Sequence, residues 1–233
     1  TRNCQKAYLS TVQPSTDKNV TSNLFILLSK FRSSTEVIER GFDSQRYVRT
    51  MYAEKTYVRV GEILQKESLR KLYSMLGIED IVSECISKTM LLPVIPSILH
   101  GDFCFSNILY SARGKRFKLI DPRGLDGEGN ISIYGDQKYD IAKLIHSVIG
   151  LYDYIISGEY KLKDHKIVFS LSKEIEEFRE YFLEQRVNNL SIVDYIPLVV
   201  LLFITMIPLH SDRPDRQVAF LINAKHLYDE YVQ

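Results

Sequence analysis

"LHGDFCFSNILYSARGKRFKLIDPRG", residues 99–124, is the stretch on which the fold turns. It holds His100, Asp102 and Asn107 close together and then runs into two short apolar segments, "ILY" (108–110) and "FKLI" (117–120). Between them "SARGKR" carries Gly114 as a turn residue, the pattern of a β-hairpin. Asn107 immediately precedes the first strand and Asp121 immediately follows the second. In an antiparallel pair those two positions lie at the same end. Asp102 stands in the loop entering that end. Two carboxylates and one amide oxygen therefore converge, a hard-oxygen donor set suited to Mg²⁺.

Outward from the hairpin the pattern is helical. Upstream, "PVIPSI" reads as extended, because Pro93 and Pro96 push the residues before them away from helix. Residues 17–32 place Leu24, Leu27, Leu28 and Phe31 on one helical face. Residues 44–76 carry a long helical pattern with Tyr47, Met51, Tyr57, Val60, Ile63 and Leu64 as expected buried positions. Gly61 is expected to interrupt it and Gly77 to stop the following turn. Downstream, Ile141, Leu144, Ile145, Val148 and Ile149 fall at i, i+3, i+4, i+7 and i+8, a strong helix signal. Asp136 is the expected cap of that helix. Further helices are expected at about 171–187, 192–208 and 215–231. The run at 195–210 is apolar almost throughout, but it is shorter than the ~20 residues of a membrane span. It contains Pro197 and Pro208 and is read as a buried core helix rather than a membrane anchor. The expected fold class is mainly α with a small β-hairpin.

Composition bounds the function. The chain has 233 residues, a 45% apolar fraction and a net charge of +1. That supports a well-buried core and argues against a nucleic-acid or anionic-membrane surface. Cys4, Cys85 and Cys104 form no CxxC or metal spacing, so a reduced, cytoplasmic setting is expected. Cys104, between Phe103 and Phe105, is read as a small buried apolar side chain.

"HGDFCFSN" followed by "LIDPRG" fits the kinase catalytic-loop pattern, H-x-D-x-x-x-x-N with a later metal-binding Asp. It resembles the aminoglycoside phosphotransferase and choline kinase-like family, and "YGDQKYDIAKL" resembles that family's Asp-bearing helix start. The resemblance implies the C-terminal lobe of a protein-kinase-like fold spanning 1–233. Its parts would be a helical region at 1–99, the catalytic loop, hairpin and metal Asp at 100–124, and a helical subdomain at 125–233. It implies transfer of the γ-phosphoryl group of ATP, with Mg²⁺, to a hydroxyl of a small molecule such as a sugar, an amino alcohol or an aminoglycoside. Bacterial surface-polysaccharide metabolism is one setting for such an activity.

Carried over by position, Asp102 would be the catalytic base or hydroxyl-orienting group, and Asn107 and Asp121 the Mg²⁺ ligands. His100 would brace the loop and Asp140 would anchor it from the helix beneath. Arg123 departs from the family pattern. A guanidinium there suits an anionic substrate or phosphate, or else is an exposed turn arginine. With no Trp in the chain, an aromatic cage for a quaternary ammonium would have to be built from Tyr. Gly41, Gly61 and Gly77 do not cluster into a phosphate-covering loop, and no Val-Ala-Ile-Lys-like strand precedes His100. An N-lobe lying upstream, removed or lost is therefore expected. The alternative reading is a non-catalytic, kinase-like binding or assembly module.

Overall fold

The computed structural model describes residues 42–233 apart from 112, 114 and 115. The helix expected over 17–32, Cys4, Gly41 and the turn residue Gly114 lie outside the described residues. Asp43 caps the first helix among the described residues, its carboxylate accepting from Arg46 N at 2.9 Å. That helix, α1 (Ser44–Val48), widens into a π-helical segment at Arg49–Glu54 and resumes as α2 (Lys55–Leu64). Gly61 sits inside α2 without interrupting it, contrary to expectation. Tyr57 is also a correction: it is 53% exposed, whereas Val60 and Ile63 are buried. The extra residue of a π turn rotates the helix faces about its axis, so a strictly 3.6-residue count drifts off the buried side.

The 44–76 pattern is broken at 65–66 before α3 (Glu67–Met75). Gly77, at φ +65°, takes the left-handed turn between α3 and α4 (Ile78–Leu91), the conformation glycine adopts without steric cost. The extended segment yields β1 (Pro96–Ile98), which pairs antiparallel with β4 (Tyr134–Asp136). Asp136, expected to cap the helix that follows, is instead the last residue of β4, and the cap position falls to Gln137. Gly135 is required there because a Cβ would sit 2.4 Å from Leu99 Cδ1 and 2.7 Å from the Tyr47 hydroxyl.

The hairpin at the centre of the sequence reading is present. β2 (Ile108–Ser111) and β3 (Arg116–Leu119) pair from Ile108↔Leu119 to Ser111↔Arg116. Among the described residues it is one of four two-stranded antiparallel sheets. Two others were not expected: β5 (Lys161–Lys163) with β6 (Lys166–Val168), and β7 (Arg186–Val187) with β8 (Leu190–Ser191). Each turns on two residues of positive φ, Asp164–His165 and Asn188–Asn189, the geometry that matches hairpin twist. The second hairpin also ends α7 (Lys173–Leu183) four residues before the expected 187.

Two helices carry the core. α8 (Ile196–Met206) is buried at every position but Met206 and packs against α2, α4, α5 (Lys138–Val148) and α9 (Pro214–Tyr231). The surrounding stretch Ile192–His210 is long and apolar enough to cross a membrane, yet its helix is wrapped by protein. Pro197 and Pro208 both sit in first turns, where a missing N–H costs nothing. α5 is buried along its whole length. Its apolar side, Ile141, Leu144, Ile145 and Val148, faces the core as expected. Its polar side is covered by the loop at 100–107. Between α5 and α6 (Tyr152–Ser157), Gly150 lies where a Cβ would meet His146 O and Phe203 Cε2, both at 2.6 Å.

Gly150→Ala is therefore expected to destabilise the fold by about 1–3 kcal/mol through overpacking against backbone. Gly61→Ala has open space around it in a helix interior and should stabilise by up to about 1 kcal/mol. Urea-denaturation midpoints of the two variants should move in opposite directions.

Candidate active site

The polar stripe of α5 holds the loop. Asp140 is fully buried, and its two carboxylate oxygens accept from His100 N and Gly101 N, each at 2.8 Å. One turn on, Lys143 Nζ pairs with Asp102 Oδ1 at 2.8 Å. A further turn on, Ser147 Oγ accepts from Phe105 N at 3.1 Å. Positions i, i+3 and i+7 share a helix face, so one face reads four residues of the loop. Burial pushes the Asp140 carboxyl up to about 6, against the two backbone hydrogen bonds that favour its charge.

His100 ties the loop to the far end of the hairpin. Asp102 N donates to its Nδ1 at 3.3 Å, so Nε2 carries the hydrogen and donates to Ile120 O at 2.9 Å. Its own carbonyl accepts from Arg123 N at 2.9 Å. The residues on both sides of Asp121 and Pro122 are thereby fixed to one imidazole-bearing residue. Gly101 has φ +78°, and a Cβ there would stand 2.8 Å from Arg123 Cβ, so the crossing admits only glycine.

Asp102 and Asn107 are joined directly. Asn107 Nδ2 gives hydrogens to Asp102 O and Asp102 Oδ2, both at 2.9 Å. Asn107 O accepts from Ile120 N at 3.1 Å, which extends the hairpin ladder by one pair and leaves Asp121 as the next residue. Asp121 is exposed and held at φ +56°, a left-handed conformation that Asp tolerates better than most residues. Among the described residues, neither Asn107 Oδ1 nor the Asp121 carboxylate accepts a hydrogen bond. Among the described residues no group of three His, Cys, Asp or Glu side chains is placed to hold a metal. The donors here are two carboxylates and one amide oxygen instead. Those oxygens fit Mg²⁺, which takes few protein ligands and completes its shell from water and phosphate.

Arg123 is not a free turn arginine. It is half-buried, donates from Nη1 to the Tyr139 hydroxyl at 3.1 Å, and lies 6.0 Å from that ring's centroid. Two lysines that the sequence reading missed complete the surroundings. Burial alone would lower the Lys143 ammonium, but Tyr139 and Asp102 outweigh it and hold it above the usual lysine range. Lys55 Nζ lies 5.8 Å from the Tyr139 centroid. Lys143 was legible as the residue one turn after Asp140; Lys55, set by the π-helical segment, left no sequence signal.

Cys104 is buried with its Sγ 3.1 Å from Ser106 Oγ, and burial raises its thiol to about 11, so it is inert at neutral pH. No protein-family model, curated protein or solved structure matches the chain.

Asp140→Ala would strand two buried amides and is expected to cost about 2–4 kcal/mol, on the scale of hydrogen bonds to charged groups. Asp140→Asn, which keeps one oxygen, should cost less. Denaturant unfolding measures both, and amide exchange at His100 and Gly101 should accelerate most in the alanine variant.

Proposed function

We propose that this chain is the C-terminal-lobe portion of a protein-kinase-like phosphotransferase that moves the γ-phosphoryl group of ATP to a hydroxyl of a small molecule. The observation that carries the reading is the Asp102–Asn107 pair, clamped by α5 at one end of the hairpin whose next residue is Asp121. Such chemistry asks little of reactive groups, because a loose phosphoryl-transfer transition state is stabilised mainly by positioning and charge.

Each residue then has a task. Asp102 carries lone pairs beyond those taken by Lys143 and Asn107, and it accepts the hydrogen of the acceptor hydroxyl, directing that oxygen at the phosphorus. Lys143 compensates its charge and fixes its rotamer. Asn107, turned by its two hydrogen bonds to Asp102, presents Oδ1 on the other side. Asn107 Oδ1 and the Asp121 carboxylate would hold Mg²⁺. That ion would supply the positive charge that offsets the phosphates. His100 and Asp140 act as positioning residues, keeping the loop and the Asp121 backbone in register. ATP as donor goes with a cytoplasmic protein, as do free Cys85 and Cys104.

The Lys143–Asp102 ion pair also supports a second reading. A buried ammonium that occupies one carboxylate oxygen suits a structural Asp in a binding or assembly module.

Asp102→Asn separates the two. In the phosphotransferase, ADP release stimulated by a panel of sugars and amino alcohols should fall about 10²–10⁴-fold with an unchanged thermal melt. Asp121→Asn should instead raise the Mg²⁺ concentration needed for half-maximal rate. A folded Asp102→Asn protein with undiminished turnover overturns the catalytic assignment.

A further inference from the structure

Two cations, Lys55 and Arg123, lie over the buried ring of Tyr139, and a third, Lys143, stands one helical turn further along α5; among the described residues only Lys143 has an acid. Lys143 is neutralised by Asp102. Lys55 and Arg123 have no carboxylate within ion-pair distance among the described residues. The polar contacts they make are with Met51 Sδ at 3.9 Å for Lys55 and with the Tyr139 hydroxyl for Arg123. Both are partly buried. Burial first, and then the charges of Arg123 and Lys143, lower the Lys55 ammonium to about 7. Contact with an aromatic face offsets part of such a cost; an anion beside Lys55 would offset more and keep on it the proton that is otherwise lost near neutral pH.

The local backbone is unusual as well. Lys55 N closes the π-helical segment by donating to Thr50 O, and that segment sets the direction in which the Lys55 side chain leaves the helix. Single π turns inside α-helices recur at functional sites. Tyr139 adds a hydroxyl whose oxygen already accepts from Arg123, which leaves its hydrogen to donate. Arg123 sits against Gly101, one residue from Asp102. An anion held by Arg123 would therefore lie on the side of the loop that carries the hydroxyl-orienting carboxylate.

We propose that Lys55, Arg123 and the Tyr139 hydroxyl form an anion-binding subsite for the acceptor, so that the phosphorylated hydroxyl belongs to a molecule that already carries a phosphate or carboxylate group. This rests on the phosphotransferase reading for the word acceptor; the anion site itself does not. A planar guanidinium, an ammonium and a phenol hydrogen make a donor set that phosphate and carboxylate both satisfy.

Inorganic phosphate, titrated at constant ionic strength and followed by the amide resonances of Gly101 and Arg123, tests the site without turnover. The expected result is saturable binding, weakened about tenfold by Lys55→Gln and by Arg123→Gln. Lys71→Gln, an exposed charge paired with Glu67 on α3, should leave it unchanged, and Asp102→Asn should retain it. Absence of saturable binding, or equal binding by the Lys55 and Arg123 variants, overturns the proposal. A loss of ATP binding in those variants with phosphate binding intact also overturns it, since the cations would then serve the donor.

A second arm compares ADP release with neutral sugars, sugar phosphates and sugar acids. Stimulation confined to the phosphates, or to the acids, supports the subsite and tells the two anions apart. Neutral sugars turned over equally by wild type and Lys55→Gln overturn it. If no compound stimulates release while phosphate still binds as expected, the phosphotransferase reading fails and the anion site stands.

Discussion

Two backbone amides in consecutive residues, those of His100 and Gly101, point into the protein and end on one carboxylate, that of Asp140. A buried N–H without a partner costs about as much as a lost hydrogen bond. Without Asp140 the loop would have to turn these groups toward water and give up its path. From that path follow the placement of Asp102 over Lys143, the seating of Phe105 N on Ser147, and the reach of His100 to Ile120 and Arg123. The hairpin and the residue after it are then placed relative to α5 by hydrogen bonds as well as by the packing of Ile108, Phe117 and Leu119 on the core.

A second buried carboxylate does the same work one turn earlier. Asp136 pairs with Lys138 at 2.8 Å and accepts from Ile95 N and from the Tyr52 hydroxyl, both at 3.2 Å. Lys138 in turn donates to Leu92 O and Pro93 O. Burial raises the Asp136 carboxyl while Lys138 opposes the shift. This hub joins the end of α4, the β1–β4 pair, the π-helical segment and the start of α5. Buried ion pairs of this kind are weak contributors to net stability, but removing one partner leaves a costly charge. Their effect is to specify one arrangement: α5 cannot slide or rotate without unpairing Asp136, Asp140 and Lys143 together.

The electrostatics of the site follow from that rigidity. Because Lys143 is committed to Asp102, the remaining positive charge near Tyr139 comes from Lys55 and Arg123, which reach it from α2 and from the segment after β3. His146, two turns into α5 from Asp140, is kept neutral by burial and by the charge of Lys143, and it stacks on Tyr152 at 4.5 Å and meets a tilted Phe203 ring at 4.1 Å. The helix thus changes character along its length, from a polar clamp under the loop to an aromatic core.

Local pattern alone determined much of this protein. The 3.6-residue period of Ile141, Leu144, Ile145 and Val148, the apolar run through α8, the proline-imposed extension before His100 and the β2–β3 hairpin are all encoded by near neighbours. So is the nearness of Asn107 to the end of β3, because antiparallel register follows once the hairpin is granted. What depended on distant residues was not legible there. Gly135 became a strand residue because Ser97 was available to pair with it, and Tyr57 was turned outward after a π segment that no local pattern announces. The Asp164–His165 and Asn188–Asn189 turns could have been read from their Asp and Asn, which tolerate positive φ, but the runs flanking them are too short to announce strands. Asp140 could be placed on a helix from sequence. Only the tertiary structure decided that both of its oxygens meet the loop and that Lys55 and Arg123 meet at Tyr139. Side chains brought together from separate elements leave no periodic trace, because the energy that joins them is hydrogen bonding and charge at contact distance.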